Sequence, residues 1–351
     1  MAIFSLPSIR LAGIAASVPK SREHTAEYRW ISQKERESLM KNIGVETRRV
    51  APRGVTAADL CFVAAEKLVN ELGWDRREIE LLVFVSQSPD HLVPATACIL
   101  QDHLGLPHSC IAYDVGLGCS GYVYGLSMIG SMMQPGSIKK ALLLVGDTST
   151  LTTSYRDKST YPLFGDGGTA TALEFTEKAP EMIFNLQTDG AGYRALIIPD
   201  GGARNRMSRK SFDIKKVSKG IHRSKMNLEL DGIEVFNFSL REVVPNVKSL
   251  LKVAEKTMDD VDYLVFHQAN RLINETLRKM LKVDPARVPY SLNEYGNTSG
   301  ASVPLTMVAQ LREQLTSGPV KLLLSAFGVG LSWGSVLLET DNIVCPEVIE
   351  Y

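Results

Sequence analysis

Apolar positions along the chain fall into two alternating patterns. Leu11 to Val18, bracketed by Pro7 and Pro19, is a largely apolar run of strand length. Thr56 to Leu72 carries apolar residues at helical spacing, stops at Gly73, and is followed by the continuous apolar run Ile79 to Val85. The same pair returns later, where Val247 to Met258 predicts a helix and Val261 to Phe266 a strand. Strands apolar on both faces need cover on both faces, so the pattern predicts a layered α/β architecture.

The two passages lie over one another, with Ala65-Glu66-Lys67 against Ala254-Glu255-Lys256 and Leu82-Val83-Phe84 against Leu264-Val265-Phe266. A second echo follows in the same order: Ala141 to Val145 with Gly168 to Glu174 resembles Val320 to Leu324 with Gly334 to Glu339. Two echoes in one order predict an internal duplication, with halves at residues 1–178 and 179–351 and two sheets sharing a central helical layer. The uncharged segment Val115 to Ile138 is long enough to span a bilayer. Six glycines, four serines and Pro135 make it read instead as a buried helix with small faces for close packing.

Charge narrows the function classes. The 351 residues hold 39 Lys plus Arg against 39 Asp plus Glu, which gives no bulk attraction to nucleic acid or to a membrane surface. One local exception is Arg204 to Lys225, where nine basic residues face a single acid, Asp213. The five cysteines, Cys61, Cys98, Cys110, Cys119 and Cys345, form no CxxC pair and no disulfide or zinc spacing. Free thiols, a reducing cytoplasmic setting and no metal are the expectation, and the sparse charges beside Leu11 to Val18 argue against a signal peptide.

Candidate chemistry centres on three residues. Gly116-Leu117-Gly118-Cys119-Ser120-Gly121 follows the apolar segment Ser109 to Val115 and opens the small-residue helix, which puts Cys119 at a helix N-terminus. Orphan N–H groups and the helix dipole there favour a thiolate and can hold an oxyanion. His267 comes where the strand Leu264-Val265-Phe266 emerges at its carboxyl end, the edge at which open α/β sheets bind ligands. Asn297 lies in the loop Tyr295-Gly296-Asn297-Thr298-Ser299-Gly300. Alone, each has an ordinary structural reading: a core cysteine, a buried histidine, a turn asparagine. Together they supply a nucleophile, a base and an amide donor, a set suited to acyl transfer. A papain-like hydrolase shows the same Cys, His, Asn order, but it predicts a tryptophan soon after the nucleophile, where this chain has Ser120-Gly121-Tyr122.

The segments Tyr113 to Leu126, Phe164-Gly165-Asp166-Gly167, His267-Gln268-Ala269-Asn270, Gly296-Asn297-Thr298-Ser299 and Ala326-Phe327-Gly328 through Ser332-Trp333-Gly334-Ser335 resemble, in order, those of β-ketoacyl carrier-protein synthase III, within the thiolase-like superfamily. The resemblance implies a thiolase-like fold of two duplicated halves in α-β-α-β-α layers, and a homodimer without metal or redox cofactor. It implies that Cys119 accepts an acyl group from acyl-coenzyme A, and that a malonyl thioester on an acyl carrier protein then loses carbon dioxide and attacks it. His267 and Asn297 would hold the enolate oxygen, and the backbone amides of Cys119 and Val329 the oxyanion of acyl transfer. Lys158, Gln268, Arg271 and Phe327 fall at substrate-side positions of the family, and Val93 at a wall of the acyl pocket where a phenylalanine often stands. Departures from the pattern are Gly328-Val329-Gly330 in place of a glycine triplet, Lys158 for an arginine, an arginine displaced to Arg271, and Trp30 too far upstream to stack on an adenine. Two alternatives stay open on the same fold: acyl transfer to an oxygen or nitrogen nucleophile, and condensation without decarboxylation. The latter calls for an added carboxylate near the cysteine, and Asp114 and Asp166 resemble structural sites of the family instead.

Overall fold

The computed structural model describes residues 2–351. One sheet is built from β2 (Ile9–Val18), β3 (Leu81–Val85), β4 (Ile111–Val115), β5 (Lys140–Asp147), β6 (Gly167–Phe175) and β11 (Ile349–Glu350), in the order β11-β2-β6-β5-β3-β4. The other is built from β1 (Ala2–Leu6), β7 (Met182–Thr188), β8 (Tyr263–Phe266), β9 (Pro319–Gly328) and β10 (Ser332–Asp341), in the order β1-β7-β10-β9-β8. Between the sheets lie helices α3 (Gly121–Met133) and α6 (Ser302–Ser317). On the outer faces lie α1 (Ala57–Leu72) with α2 (Thr96–His103), and α4 (Gly232–Val253) with α5 (Arg271–Leu281).

The alternation of side chains along each strand produces the layers. Leu81, Val83 and Val85 of β3 enter the central core with Tyr122, Leu126 and Val303, while Leu82 and Phe84 face the outer core under α1 and α2. In β9, Leu322, Leu324 and Ala326 turn to the centre, and Leu323 and Phe327 turn outward beneath α4 and α5. Every face is apolar, which is why these strands read as unbroken runs.

The duplication is visible in the pairing. From β2 through β6 and β5 to β3 the neighbours are antiparallel, antiparallel and parallel, and from β7 through β10 and β9 to β8 they are the same. The two sequence echoes fall on equivalent strands: β3 with β8, β5 with β9, β6 with β10. The division between residues 178 and 179 lies between β6 and β7, with two crossings. N-terminal β1 pairs with β7, and C-terminal β11 pairs with β2.

Two expectations shift. The helix expected from Val247 begins at Gly232, with Pro245 inside it, because the Asp231 carboxylate accepts the N–H groups of Ile233 and Glu234 and fixes an earlier start. The uncharged segment divides into the end of β4, a glycine-rich turn and α3. On α3 a Cβ at Gly125 or Gly130 would sit 2.8 Å from Leu143 or Leu6, so these glycines let the helix lie close on both sheets. No helix among the described residues is long and apolar enough to cross a membrane.

Candidate active site

Cys119 stands one residue before the N-cap of α3, in a turn closed by the Gly121 N–H donating to Gly118 O at 2.7 Å. Facing it is the turn between β9 and β10. A Cβ on Gly328 would lie 2.6 Å from Cys119 Cβ and 2.8 Å from Sγ, so the absence of a side chain there makes room for the thiol. The two turns are tied by Ser120 Oγ to Ser332 Oγ at 2.7 Å, and by Ser332 Oγ donating to Val329 O at 2.8 Å. The amides of Val329 and of Cys119 itself act on the sulfur, and among the described residues neither donates to another backbone carbonyl.

His267 extends the β8–β9 ladder, its N–H donating to Ser325 O at 2.8 Å. The ring lies edge-on to Phe327, with centroids 5.7 Å apart, and Nδ1 is 2.7 Å from Ser302 Oγ in the first turn of α6. Ser302 Oγ already accepts the Gln268 N–H at 3.2 Å. Its own proton then has Nδ1 as acceptor, which assigns the ring proton to Nε2 and makes Nε2–H a donor. Asn297 is held by its N–H to Leu163 O at 2.9 Å and by its Oδ1 accepting the Ser299 N–H at 2.9 Å. That second bond fixes the amide so that Nδ2 is the donor left, reaching only Ala269 O at 3.3 Å. Ser299 joins the three: it bonds Asn297 through its N–H, its backbone acts on His267, and its side chain acts on Cys119.

The electrostatics correct the expectation of a resting thiolate. Burial pushes the Cys119 thiol up to about 11, against the opposing pull of the Val329 amide, the Ser299 hydroxyl and the Cys119 amide. Burial also pushes His267 down to about 3, with the Ser299 backbone alone opposing it. The pair rests as neutral thiol and neutral imidazole, because loss of water outweighs the helix terminus for a side chain only 8% exposed.

A cavity of about 70 Å³ opens at the sulfur, lined by Cys119, Asp147, Phe164, Leu196, Leu228 and Val329 among others. Of the other expected site residues, Phe327 is buried against the His267 ring. Gln268 is framework rather than substrate contact: its Nε2 donates to Phe266 O at 2.8 Å and its Oε1 accepts the Ser291 N–H at 3.2 Å, which uses both ends of the amide. Lys158 Nζ lies 3.4 Å from Glu35 Oε1, and Arg271 packs on Gly44 at the start of α5, both outside the cavity. Val93 is 83% exposed at a loop tip and does not wall the cavity of its own chain. Trp30 donates to Gly220 O at 3.0 Å. Asp114 accepts the Thr96 and Ala97 N–H groups, both at 2.7 Å, and Asp166 accepts those of Ala51 and Thr150, which makes both structural. Asp147, Ser299 and Ser302 were not singled out in the sequence. An acid closing a wholly apolar strand and a serine opening an apolar helix were the available signs.

The residue pattern has close counterparts. Residues 113–190 match the family described as 3-oxoacyl-[acyl-carrier-protein] synthase III, and residues 251–340 match its C-terminal region. A β-ketoacyl-[acyl-carrier-protein] synthase III of Syntrophomonas wolfei is 31% identical over 94% of this chain and 97% of its own. A counterpart from Chlamydia caviae is 33% identical over 86% of this chain and 88% of its own. Among solved structures, a 3-oxoacyl-(acyl-carrier protein) synthase of Burkholderia xenovorans superposes with a TM-score of 0.93 at 37% identity, covering 99% of both chains. The fold is therefore thiolase-like, and the chain belongs to the 3-oxoacyl-[acyl-carrier-protein] synthase III family.

Proposed function

We propose that this protein joins an acyl thioester to malonyl-acyl carrier protein by decarboxylative Claisen condensation through an acyl group on Cys119. The observation that carries the reading is the convergence of Cys119, His267 and Asn297 on Ser299, with the Val329 and Cys119 amides directed at the sulfur. In the first half-reaction, sulfur attacks the acyl carbonyl. The Cys119 and Val329 amides hold the oxyanion, and the donor thiol leaves. In the second, the malonyl thioester oxygen sits between His267 Nε2–H and Asn297 Nδ2. Loss of carbon dioxide puts negative charge on that oxygen, and two uncharged donors stabilise it more in the transition state than in the ground state. The carbanion carbon then attacks the acyl-cysteine carbonyl, forming the C–C bond and breaking the C–S bond, and the released Cys119 thiolate takes up a proton from solvent to regenerate the thiol. No metal or cofactor enters; coenzyme A and carrier-protein thioesters are substrates.

The exposed basic segment Arg204 to Lys225 supports docking of an acidic carrier protein. A homodimer belongs to the same reading: β4 is an edge strand with an open backbone flank, Ile111 on it is 45% exposed, and Leu92 and Val93 are 96% and 83% exposed at a nearby loop tip. In such a dimer Val93 is free to wall the second subunit's cavity. The cytoplasm suits five free cysteines, one of which must stay reduced to react.

The test uses intact-protein mass and labelled carbon dioxide release on the same samples. Cys119→Ala should take up no acyl group. His267→Ala and Asn297→Ala should still be acylated but lose decarboxylation by roughly 10²–10³-fold. Carbon dioxide release at the parent rate in both mutants would replace this reading with acyl transfer to an external nucleophile.

A further inference from the structure

Asn297 rests against a strip of backbone that the chemistry described so far does not use. Residues 163–165 run beside it as a parallel bridge centred on Phe164: the Asn297 N–H donates to Leu163 O at 2.9 Å, and the Gly165 N–H donates to Asn297 O at 3.0 Å. The approach is close. A Cβ on Gly165 would run into Tyr295 O, and one on Gly296, at φ 72°, would lie 3.0 Å from Leu163 O.

The strip is braced from behind by Arg48, whose Nη1 donates at 2.9 Å to Phe164 O, the carbonyl of the residue bridged to Asn297. Among the described residues no other side chain donates to a carbonyl of residues 163–165 or 295–297. The Arg48 Cβ packs on the other flank, 3.2 Å from where a Cβ on Gly296 would stand. On its outer side Nη2 is 2.5 Å from Glu23 Oε2, and the guanidinium lies 4.0 Å over the ring of Tyr161. The Tyr161 hydroxyl donates to the same Glu23 oxygen at 2.9 Å. Glu23 faces Arg48 across the antiparallel pairing of Arg22–His24 with Thr47–Arg49. The Arg48 side chain is 3% exposed, and that of Glu23 40%. A buried ion pair adds little stability over packed apolar side chains, whereas a guanidinium fork holds two acceptors in fixed directions.

We infer that Arg48, anchored by Glu23 and Tyr161, is a positioning residue for the extender step: by holding Phe164 O it sets where Asn297 Nδ2 points. The asparagine amide is locked to its own backbone through the Oδ1 bond to the Ser299 N–H, so a shift of the strip carries Nδ2 with it. An amide misplaced by about 1 Å loses roughly 10²-fold in the step that it serves. Placement confines the effect to one half-reaction. Cys119 is held by the turns before α3 and after β9, tied through Ser120 and Ser332, and Arg48 bonds to neither turn. Phe164 alone connects the brace to the acyl cavity, as one of its walls.

The inference rests on Asn297 serving decarboxylation, and a double-mutant cycle separates the two claims. Arg48→Lys keeps the charge but offers a single-point donor that cannot bridge Phe164 O and Glu23. Glu23→Gln weakens the outer anchor at a half-exposed side chain and leaves the core closed. Carbon dioxide release from labelled malonyl-carrier protein and adduct mass on Cys119 are measured for each variant, alone and with Asn297→Ala, on protein that melts cooperatively. Arg48→Lys should lower kcat for decarboxylation roughly 10- to 10²-fold with KM little changed and acylation within about threefold of the parent. Glu23→Gln should lower the same step by a smaller factor. In the Asn297→Ala background either change should cost less than about twofold, because no amide is left to place. If Arg48→Lys does not fold, the cycle on Glu23→Gln decides. Losses that add in full to that of Asn297→Ala, equal losses in acylation and decarboxylation, or parent rates in every folded variant overturn the positioning role. Parent-rate decarboxylation in Asn297→Ala itself removes the extender assignment and the inference with it, a failure seen with Arg48 and Glu23 unchanged.

Discussion

Ser302→Ala tests how the histidine is set up for its role. The hydroxyl is 1% exposed, stands 2.7 Å from His267 Nδ1 and accepts the Gln268 N–H at 3.2 Å. Alanine leaves both groups buried without a partner, each at about 1–3 kcal/mol. The Gln268 share falls on stability. The Nδ1 share falls on the ring, which loses the bond that keeps its proton on Nε2 and its plane in register. If that 1–3 kcal/mol appears in the transition state that loads charge on the thioester oxygen, decarboxylation slows roughly 5- to 150-fold. Acylation of Cys119 should change by less than about threefold, since the thiol side does not use Nε2–H. Carbon dioxide release and adduct mass, measured on one sample, give both rates, and Ser302→Thr should restore the first. Parent-rate decarboxylation in Ser302→Ala, or equal loss of both steps, would refute the tautomer argument.

Gly328→Ala should prevent acylation while the protein still folds, because its Cβ would meet Cys119 Sγ at 2.8 Å; adduct mass together with a melting curve checks this. Neutralising Arg206, Arg209 and Lys210, all exposed, should raise the KM for the carrier-protein substrate and flatten its salt dependence in steady-state assays, with little effect on kcat. The pH dependence of stability follows from His267, whose folded pKa is lowered from 6.5 to about 3 by burial. Its contribution is present above about pH 6.5 and is lost as the pH falls toward 3, where the unfolded chain takes up a proton that the folded chain refuses. Thermal melting between pH 7 and 5 should therefore be less acid-sensitive in His267→Gln than in the parent.

The strands that hold the site were readable because their environment is extreme. β3, β5, β8 and β9 are apolar on both faces and tolerate no other pattern, and their repetition exposed the duplication. Helix α4 starts well before Val247 and carries Pro245 as an interior residue, which the spacing from Val247 onward does not reveal. The chain order of Cys119, His267 and Asn297 marks where the proposed chemistry lies, but it does not reveal the charge state of the groups. A helix N-terminus is legible in a sequence, while the depth of burial that overrides it depends on neighbours such as Val329, far along the chain. Gln268 shows a related limit: its place in the His-Gln-Ala-Asn run fixes its position but not its direction, and its amide turns into the backbone. Asp147 stayed hidden because an acid after an apolar strand ordinarily marks a turn.

The crossing of the two chain ends has a mechanical consequence. Ala2–Leu6 is stitched to β7 in one sheet and Ile349–Glu350 to β2 in the other, so each half is fastened at its margin by the opposite end of the polypeptide. Scission between residues 178 and 179 would yield two fragments that each lack a border strand and leave the face of the shared helices bare. Neither fragment should then fold on its own. The Cys119 turn before α3 and His267 after β8 lie in opposite fragments, so the proposed catalytic centre should assemble only as the fold is completed.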